Sequence, residues 1–213
     1  MTARPAADVV IPFGGRAIEP VLARAAALEV REGDTVTVVD NRAPSGAAPR
    51  RGAGGAPVRV VEAAALHTSY FARNAGARAG SAPWIVFVDA DVEPPADLLD
   101  RLLLPSPAER VGVVAAEVED EEPEPGAPLA VRYARLSRAM SQRGNVDLGF
   151  VATACCAVRR EAFEAAGGFR EDVRSGGDAD LCLRLRDAGW AIELRDDVVV
   201  RHRSRRALVR MLA

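Results

Sequence analysis

The sequence contains no lysine: all 28 of its basic residues are arginine, and they are outweighed by 30 carboxylates, giving a formal net charge of -2 and an isoelectric point near 5.8. A chain that gains its affinity by neutralising many phosphates carries a positive excess, so nucleic-acid binding is set aside. The missing lysine points to a GC-rich bacterial coding genome rather than to a binding need. Cysteine is scarce as well. Cys155, Cys156 and Cys182 are the three, two of them adjacent, which is a poor disulfide framework and offers no C-x-x-C metal spacing. No apolar run reaches the roughly 18 residues that cross a bilayer, and the N-terminus lacks the basic start and apolar core of a secretory signal. The expected location is cytoplasmic, at most touching the inner face of a membrane.

What is present is an ordinary globular balance. Over 213 residues, 49% are hydrophobic and 27% charged, enough for one substantial core and one domain. Charge is uneven along the chain: acid gathers in 117–124, and Arg201, Arg203, Arg205, Arg206 and Arg210 make the end basic.

Short apolar runs at 8–13, 35–39, 58–61, 84–88, 112–118, 153–159 and 192–200 read as strands, several closed by glycine or aspartate. Between them, 18–30 (with Gly33 as its stop), 69–79, 97–104, 129–140, 160–166 and 180–188 read as helices. Residues 42–57 form a Pro/Gly-rich loop and 119–128 an acidic, Pro-rich one. Alternating strands and helices predict an α/β domain, a mainly parallel, Rossmann-like sheet with helices on both faces.

Asp89-Ala90-Asp91 follows an apolar strand directly, and a two-residue period places both carboxylates on one side of its C-terminal end, where open α/β sheets bind ligands. Two carboxylates so close call for a cation, and hard oxygen ligands suit Mg²⁺ or Mn²⁺ bridging to phosphate; the competing reading is a polar turn. Asp40 ends the second strand in the same way, as a nucleoside acceptor or as a turn-forming aspartate. Arg73 lies on a small-residue helix, facing phosphate or simply solvent. Within Gly176-Gly177-Asp178-Ala179-Asp180, Asp180 reads best as a helix N-cap, while Asp178 is better placed to take a proton from a hydroxyl. His202, just past the last strand, is either a third metal ligand or a solvated histidine among arginines.

Taken in order, Val10-Ile11-Pro12, Val38-Val39-Asp40, Ala72-Arg73-Asn74-Ala75-Gly76, Val86-Phe87-Val88-Asp89-Ala90-Asp91, Gly167-Gly168-Phe169, Gly177-Asp178-Ala179-Asp180-Leu181, Ala188-Gly189-Trp190 and Val200-Arg201-His202 resemble the family-2 inverting glycosyltransferases of GT-A fold over nearly the whole chain. The resemblance implies one GT-A domain over 1–213, with a nucleotide-binding half at 1–104 and an acceptor-binding half at 105–213; residues 201–213 are the basic start of a further C-terminal region. It implies a nucleoside-diphosphate sugar donor contacted by Pro12, Asp40, Arg73 and Asp89. A Mn²⁺ or Mg²⁺ ion would be held by Asp91, Asp89 and His202, and Asp178 would be the catalytic base. The acceptor hydroxyl would belong to a lipid carrier, a polysaccharide or a small natural product. Direct displacement by one base implies inversion of a hexosyl or related sugar.

Two positions depart from the family pattern: Asn41-Arg42-Ala43, where a second Asp and Gly-Ser are usual, and Gly177, where an acidic residue is usual. They motivate an alternative, a catalytically impaired nucleotide-sugar-binding domain. A nucleotidyltransferase is the other alternative, with Gly14-Gly15-Arg16 as a thin phosphate loop. The basic stretch 205–213 is expected to make peripheral contact with an anionic membrane, or to be a solvated helix end.

Overall fold

The computed structural model describes residues 4–42, 56–138 and 140–203. Eight strands form one curled sheet in the order β3-β2-β1-β4-β7-β6-β8-β5. The first half is built from β1 (Ala7–Phe13), β2 (Thr35–Asp40), β3 (Val58–Glu62) and β4 (Trp84–Val88), with helices α1 (Glu19–Ala26) and α2 (Ser69–Arg78) between them. These four strands run parallel, and the apolar strands β1 and β4 are buried on both faces, as right-handed crossovers require.

Beyond β4 the sheet changes character. After the two-residue β5 (Val92–Glu93) and α3 (Leu98–Leu103) come β6 (Val111–Asp120), α4 (Leu129–Ser137), α5 (Gln142–Asp147), β7 (Cys155–Arg159), α6 (Arg160–Ala165), α7 (Gly177–Asp187) and β8 (Ala191–His202). Strand β7 lies antiparallel to both β4 and β6, β5 lies antiparallel to β8, and β6 and β8 pair in parallel. The α/β fold expected from the sequence is therefore present, with a mixed sheet.

Several element ends differ from the sequence reading for local reasons. Helix α1 stops at Ala26 rather than running to 30, and Gly33 instead makes the turn into β2 with φ 90°. Strand β6 runs on to Asp120 because His202 and the parallel β8 continue beside it, so the acidic loop starts later. Helix α5 has no apolar period to announce it. Helix α7 begins at Gly177, with Gly176 in the left-handed region as its N-cap; Asp180 is not the cap but pairs with Arg184 one turn on.

One core layer packs α1 and α3 on one face of the sheet, around Val9, Leu22, Val38, Val86, Leu98, Leu102 and Val114. The other packs α2, α6 and α7, around Phe87, Phe163, Phe169, Leu181 and Leu185, with Phe87, Phe163 and Phe169 in mutual ring contact. Gly76 lets α2 lie directly on the sheet: a Cβ there would come within 2.3 Å of Val10 Cγ1. Helix α4 contributes little, burying only Ala130, Val131 and Ala134 while Leu129, Tyr133 and Leu136 face outward. Among the described residues no helix is long and apolar enough to cross a membrane.

Candidate active site

A cavity of about 1150 Å³ opens at the C-terminal ends of β1 and β4, lined by Pro12, Phe13, the Gly14–Arg16 turn, Arg24, Asn41, His67, Arg73, Asp89, Ala90, Asp91 and Arg203 among others. The parallel half presents its strand ends here, which is why ligands of open α/β sheets collect at such an edge.

Arg73 is not the solvated arginine of the bland reading. Because Ala72 and Gly76 keep α2 close to β1, the guanidinium is buried at 4% exposure and pairs with Asp89 Oδ1. It also lies 5.6 Å from the Tyr70 ring centroid and 5.9 Å from that of Phe169. Burial works against this charge, but Asp89 and Asp178 together keep its pKa raised. Burial pushes the Asp89 carboxyl up, with Arg73 pulling the other way and the charges of Asp91 and Asp178 adding to the rise. Arg73 Nε is buried and bonds to nothing among the described residues, an exception to the usual pairing of buried donors.

Asp89 and Asp91 are joined by a tight turn in which the Val92 N–H donates to the Asp89 carbonyl at 3.0 Å, while the Asp89 N–H donates to Ala154. The turn divides their roles. Asp89 faces Arg73, whereas Asp91, half-exposed, has Oδ2 at 3.6 Å from His202 Nε2. His202 arrives from β8 because the β5–β8 pairing sets it opposite Val92. Its Nδ1 lies 2.9 Å from buried Asp120. Ring burial opposes protonation, yet hydrogen bonds to Asp120 and Asp91 win and its pKa is pushed up to about 9.

Asp40 ends β2 beside this cavity without lining it. Arg42 Nε at 2.7 Å, the same guanidinium's terminal nitrogen and the Arg42 N–H at 3.1 Å all donate to its carboxylate, and this contact, against some burial, holds its pKa low. The Arg42 guanidinium in turn lies 5.0 Å from the centroid of the Phe13 ring, which does line the cavity. Asn41, one of the two departures from pattern, is used structurally, for its amide donates to the carbonyls of Ala63 and Leu66 and ties down the turn after β3.

Asp178 sits in the first turn of α7, where the helix dipole favours an anion. The Thr153 hydroxyl donates to one carboxylate oxygen at 2.9 Å and the Thr153 N–H to the other at 3.3 Å. It does not line the main cavity, but its charge is felt at Arg73, Asp89 and Tyr70. Arg16, weighed from sequence only as part of a thin phosphate loop, lies on the cavity wall, where sequence reasoning missed Arg24, His67 and Arg203, and it also missed Thr153 beside Asp178. Arginines and a histidine scattered over four separate segments leave no local pattern; only the last block, Arg201-His202-Arg203, hinted at one. Residues 204–213, with Arg205, Arg206 and Arg210, and residues 43–55 of the Pro/Gly-rich loop lie outside the described residues.

Residues 9–167 match the sequence pattern of glycosyl transferase family 2. The chain belongs to that family. It is 32% identical over 148 residues to the pre-mycofactocin glycosyltransferase of Mycobacterium tuberculosis, covering 64% of this chain and 30% of that protein. It is 29% identical over 137 residues to glycosyltransferase AglE of Haloferax volcanii, covering 64% of this chain and 45% of that one. The chain thus spans less than half the length of these curated relatives. Among solved structures, a mannosyltransferase from Pyrobaculum calidifontis in complex with GDP-Man and Mn²⁺ superposes with a TM-score of 0.64 at 22% identity, over 94% of this chain and 57% of that one. GalNAc-T7 with UDP, GalNAc and Mn²⁺ gives 0.67 at 13% identity, over 95% and 44%. At such identities the likeness establishes the GT-A fold of this family-2 chain.

Proposed function

We propose that this family-2 chain carries the donor-binding and catalytic machinery of a glycosyltransferase that moves a sugar from a nucleoside-diphosphate sugar to an acceptor hydroxyl, with inversion and with the help of a divalent cation. The observation that carries the reading is the convergence of the Arg73–Asp89 pair, Asp91 and three further arginines, Arg16, Arg24 and Arg203, on one open cavity at the strand ends. Such a wall suits a diphosphate, whose charge needs several fixed donors. Phe13, with Arg42 held over it by Asp40, offers a face and an edge for the nucleoside. Residues 1–104 would then bind donor while 105–213 supply the base and the acceptor side.

The cation fits Asp91 and His202 better than Asp89. Among the described residues no three acidic, histidine or cysteine side chains surround one point, but Mg²⁺ and Mn²⁺ in nucleotide sites are commonly held by one or two protein ligands plus phosphate oxygens. Asp89 already shares an oxygen with Arg73, leaving Asp91 as the exposed carboxylate and His202 Nε2 beside it once its proton is lost. When bound, the ion would neutralise charge growing on the departing diphosphate. Asp178 would take the proton from the attacking hydroxyl, its orientation fixed by the two Thr153 donors. One base and one displacement give inversion.

A thermal-shift panel of nucleoside diphosphates and sugar nucleotides, with and without Mn²⁺, tests this directly, because a ligand that binds only the folded state raises its melting temperature. A metal-dependent shift with a sugar nucleotide, abolished in Asp91→Ala, is expected. The absence of any shift across the panel would overturn the reading. The donor sugars named in the structural neighbours make GDP-mannose and UDP-sugars the first compounds to try.

A further inference from the structure

Gly177 precedes Asp178, and the space in which any side chain at 177 would begin is filled by the ring of Tyr70. A Cβ placed there falls 2.7 Å from Tyr70 Cζ, 2.8 Å from Cε2 and 2.9 Å from Cε1. The ring has nowhere to retreat. It is 5% exposed, stacks on Phe169 with centroids 5.5 Å apart and planes 28° from parallel, and carries the Arg73 guanidinium near its face. Gly177 lies in the first turn of α7 and its backbone is not in the left-handed region, so space rather than backbone strain excludes a side chain there.

The phenol oxygen is put to use. It accepts a hydrogen bond from the Gly177 N–H at 3.0 Å, one of the donors left open at the start of a helix. Accepting that bond leaves the hydroxyl's own hydrogen to be directed elsewhere. The Asp178 carboxylate is close by: after burial, its charge is the next cause raising the phenol pKa, so the hydroxyl stays protonated and able to donate. Thr153 grips the same carboxylate from β7's side.

We propose that Tyr70 is a positioning residue for Asp178, pinning the first turn of α7 through its hydroxyl, and that Gly177 is glycine because the Tyr70 ring occupies the place of its side chain. This rests on the reading of Asp178 as the base. Position 177 and position 70 are then coupled: bulk at one is tolerated only when it is removed from the other.

Two readouts test the coupling on the chain as it stands. In urea unfolding, which needs no substrate, Gly177→Ala lowers the midpoint in the Tyr70 background, and the same change in a Tyr70→Ala background leaves the midpoint where Tyr70→Ala alone put it. Equal losses in both backgrounds would overturn the steric half of the proposal. For the hydroxyl, Tyr70→Phe keeps the ring, and the assay is nucleoside-diphosphate release from GDP-mannose or UDP-sugars in Mn²⁺. The expected result is kcat lower by about tenfold, the upper range for loss of one hydrogen bond, with the donor KM and the donor-induced thermal shift unchanged. Wild-type kcat in Tyr70→Phe would overturn the positioning role. Asp178→Asn is run in parallel. If it too turns over normally, the failure lies with the base assignment; if it is inactive while Tyr70→Phe is unimpaired, only the role of Tyr70 is lost.

Discussion

The two halves of the sheet solve different problems with different means. From β1 to β4 the strands run parallel, β1 and β4 are covered on both faces, and charged groups are locked in pairs: Arg4 with Asp34 and Asp100, Arg73 with Asp89, Arg42 with Asp40. Beyond β4 the sheet is mixed, with β7 and the short β5 running against the other strands, and helix α4 exposes its large apolar residues while burying small ones. In the first half the charged pair at the cavity wall, Arg73 with Asp89, is held by burial and a direct ion pair. The second anchors one carboxylate and one histidine firmly through Thr153 and Asp120, and leaves its outer helix loosely engaged. Asn74 joins the halves: its carboxamide accepts from the Phe169 N–H at 3.0 Å and donates to the Phe169 carbonyl at 2.8 Å, so α2 fixes the turn that leads to α7.

The sharpest way to separate the halves is to remove the proposed base alone. Asp178→Asn is expected to lower kcat by about 10²–10⁴, the usual worth of a general base, while the metal-dependent thermal shift with donor persists. Loss of donor binding in this variant would show that the halves are not separable.

Next in size is the ion cluster at the far end of the first half. The Arg4–Asp34 pair is fully buried and Asp34 also accepts from the backbone of Ala7 at 2.9 Å and of Arg31 at 2.7 Å. Burial pushes the Asp34 pKa up, but Arg4 and these backbone donors outweigh it and the folded value lies below the ordinary one. The stability it contributes is therefore fully present above the unfolded carboxylate value and is lost as pH falls through the folded value. Asp34→Asn should cost about 3–5 kcal/mol near pH 7, as breaking a buried pair does, measured by urea unfolding. The gap to wild type should close as pH falls below the ordinary carboxylate range. A gap that does not change with pH would mean the pair contributes packing and not charge.

At the small end, Leu136→Ala on the outer face of α4 is expected to change stability by less than about 0.5 kcal/mol, since that side chain is 81% exposed. A larger loss in urea unfolding would mean that α4 is packed more tightly than its outward leucines suggest.

Much of the fold was legible in the sequence because buried parallel strands are nearly continuous apolar runs and helices between them keep a 3.6 period. Thus β1, β2, β3 and β4 fall within a residue or two of the expected ends. Asp89-Ala90-Asp91 was legible for the same reason, as acid placed abruptly at a buried strand's end. The antiparallel course of β7 was not, because pairing direction leaves no mark on a five-residue apolar strand. Nor was α5, whose one apolar side chain, Val146, sets no helical period and which takes its place through buried Gln142, whose amide bonds to the backbone of Ala152 on both sides.

By itself the sequence determined the α/β alternation, the family, the order of the candidate acidic residues and the two departures at Asn41 and Gly177, since all of these are written in local residue type and spacing. Only the tertiary structure decided that Arg73 pairs with Asp89 rather than with solvent, that His202 reaches Asp91 across the β5–β8 pairing, and that Tyr70 stands where a side chain at 177 would go. These contacts join residues 16 to more than 100 positions apart, and pairings at such separations are settled by packing, which no local pattern encodes.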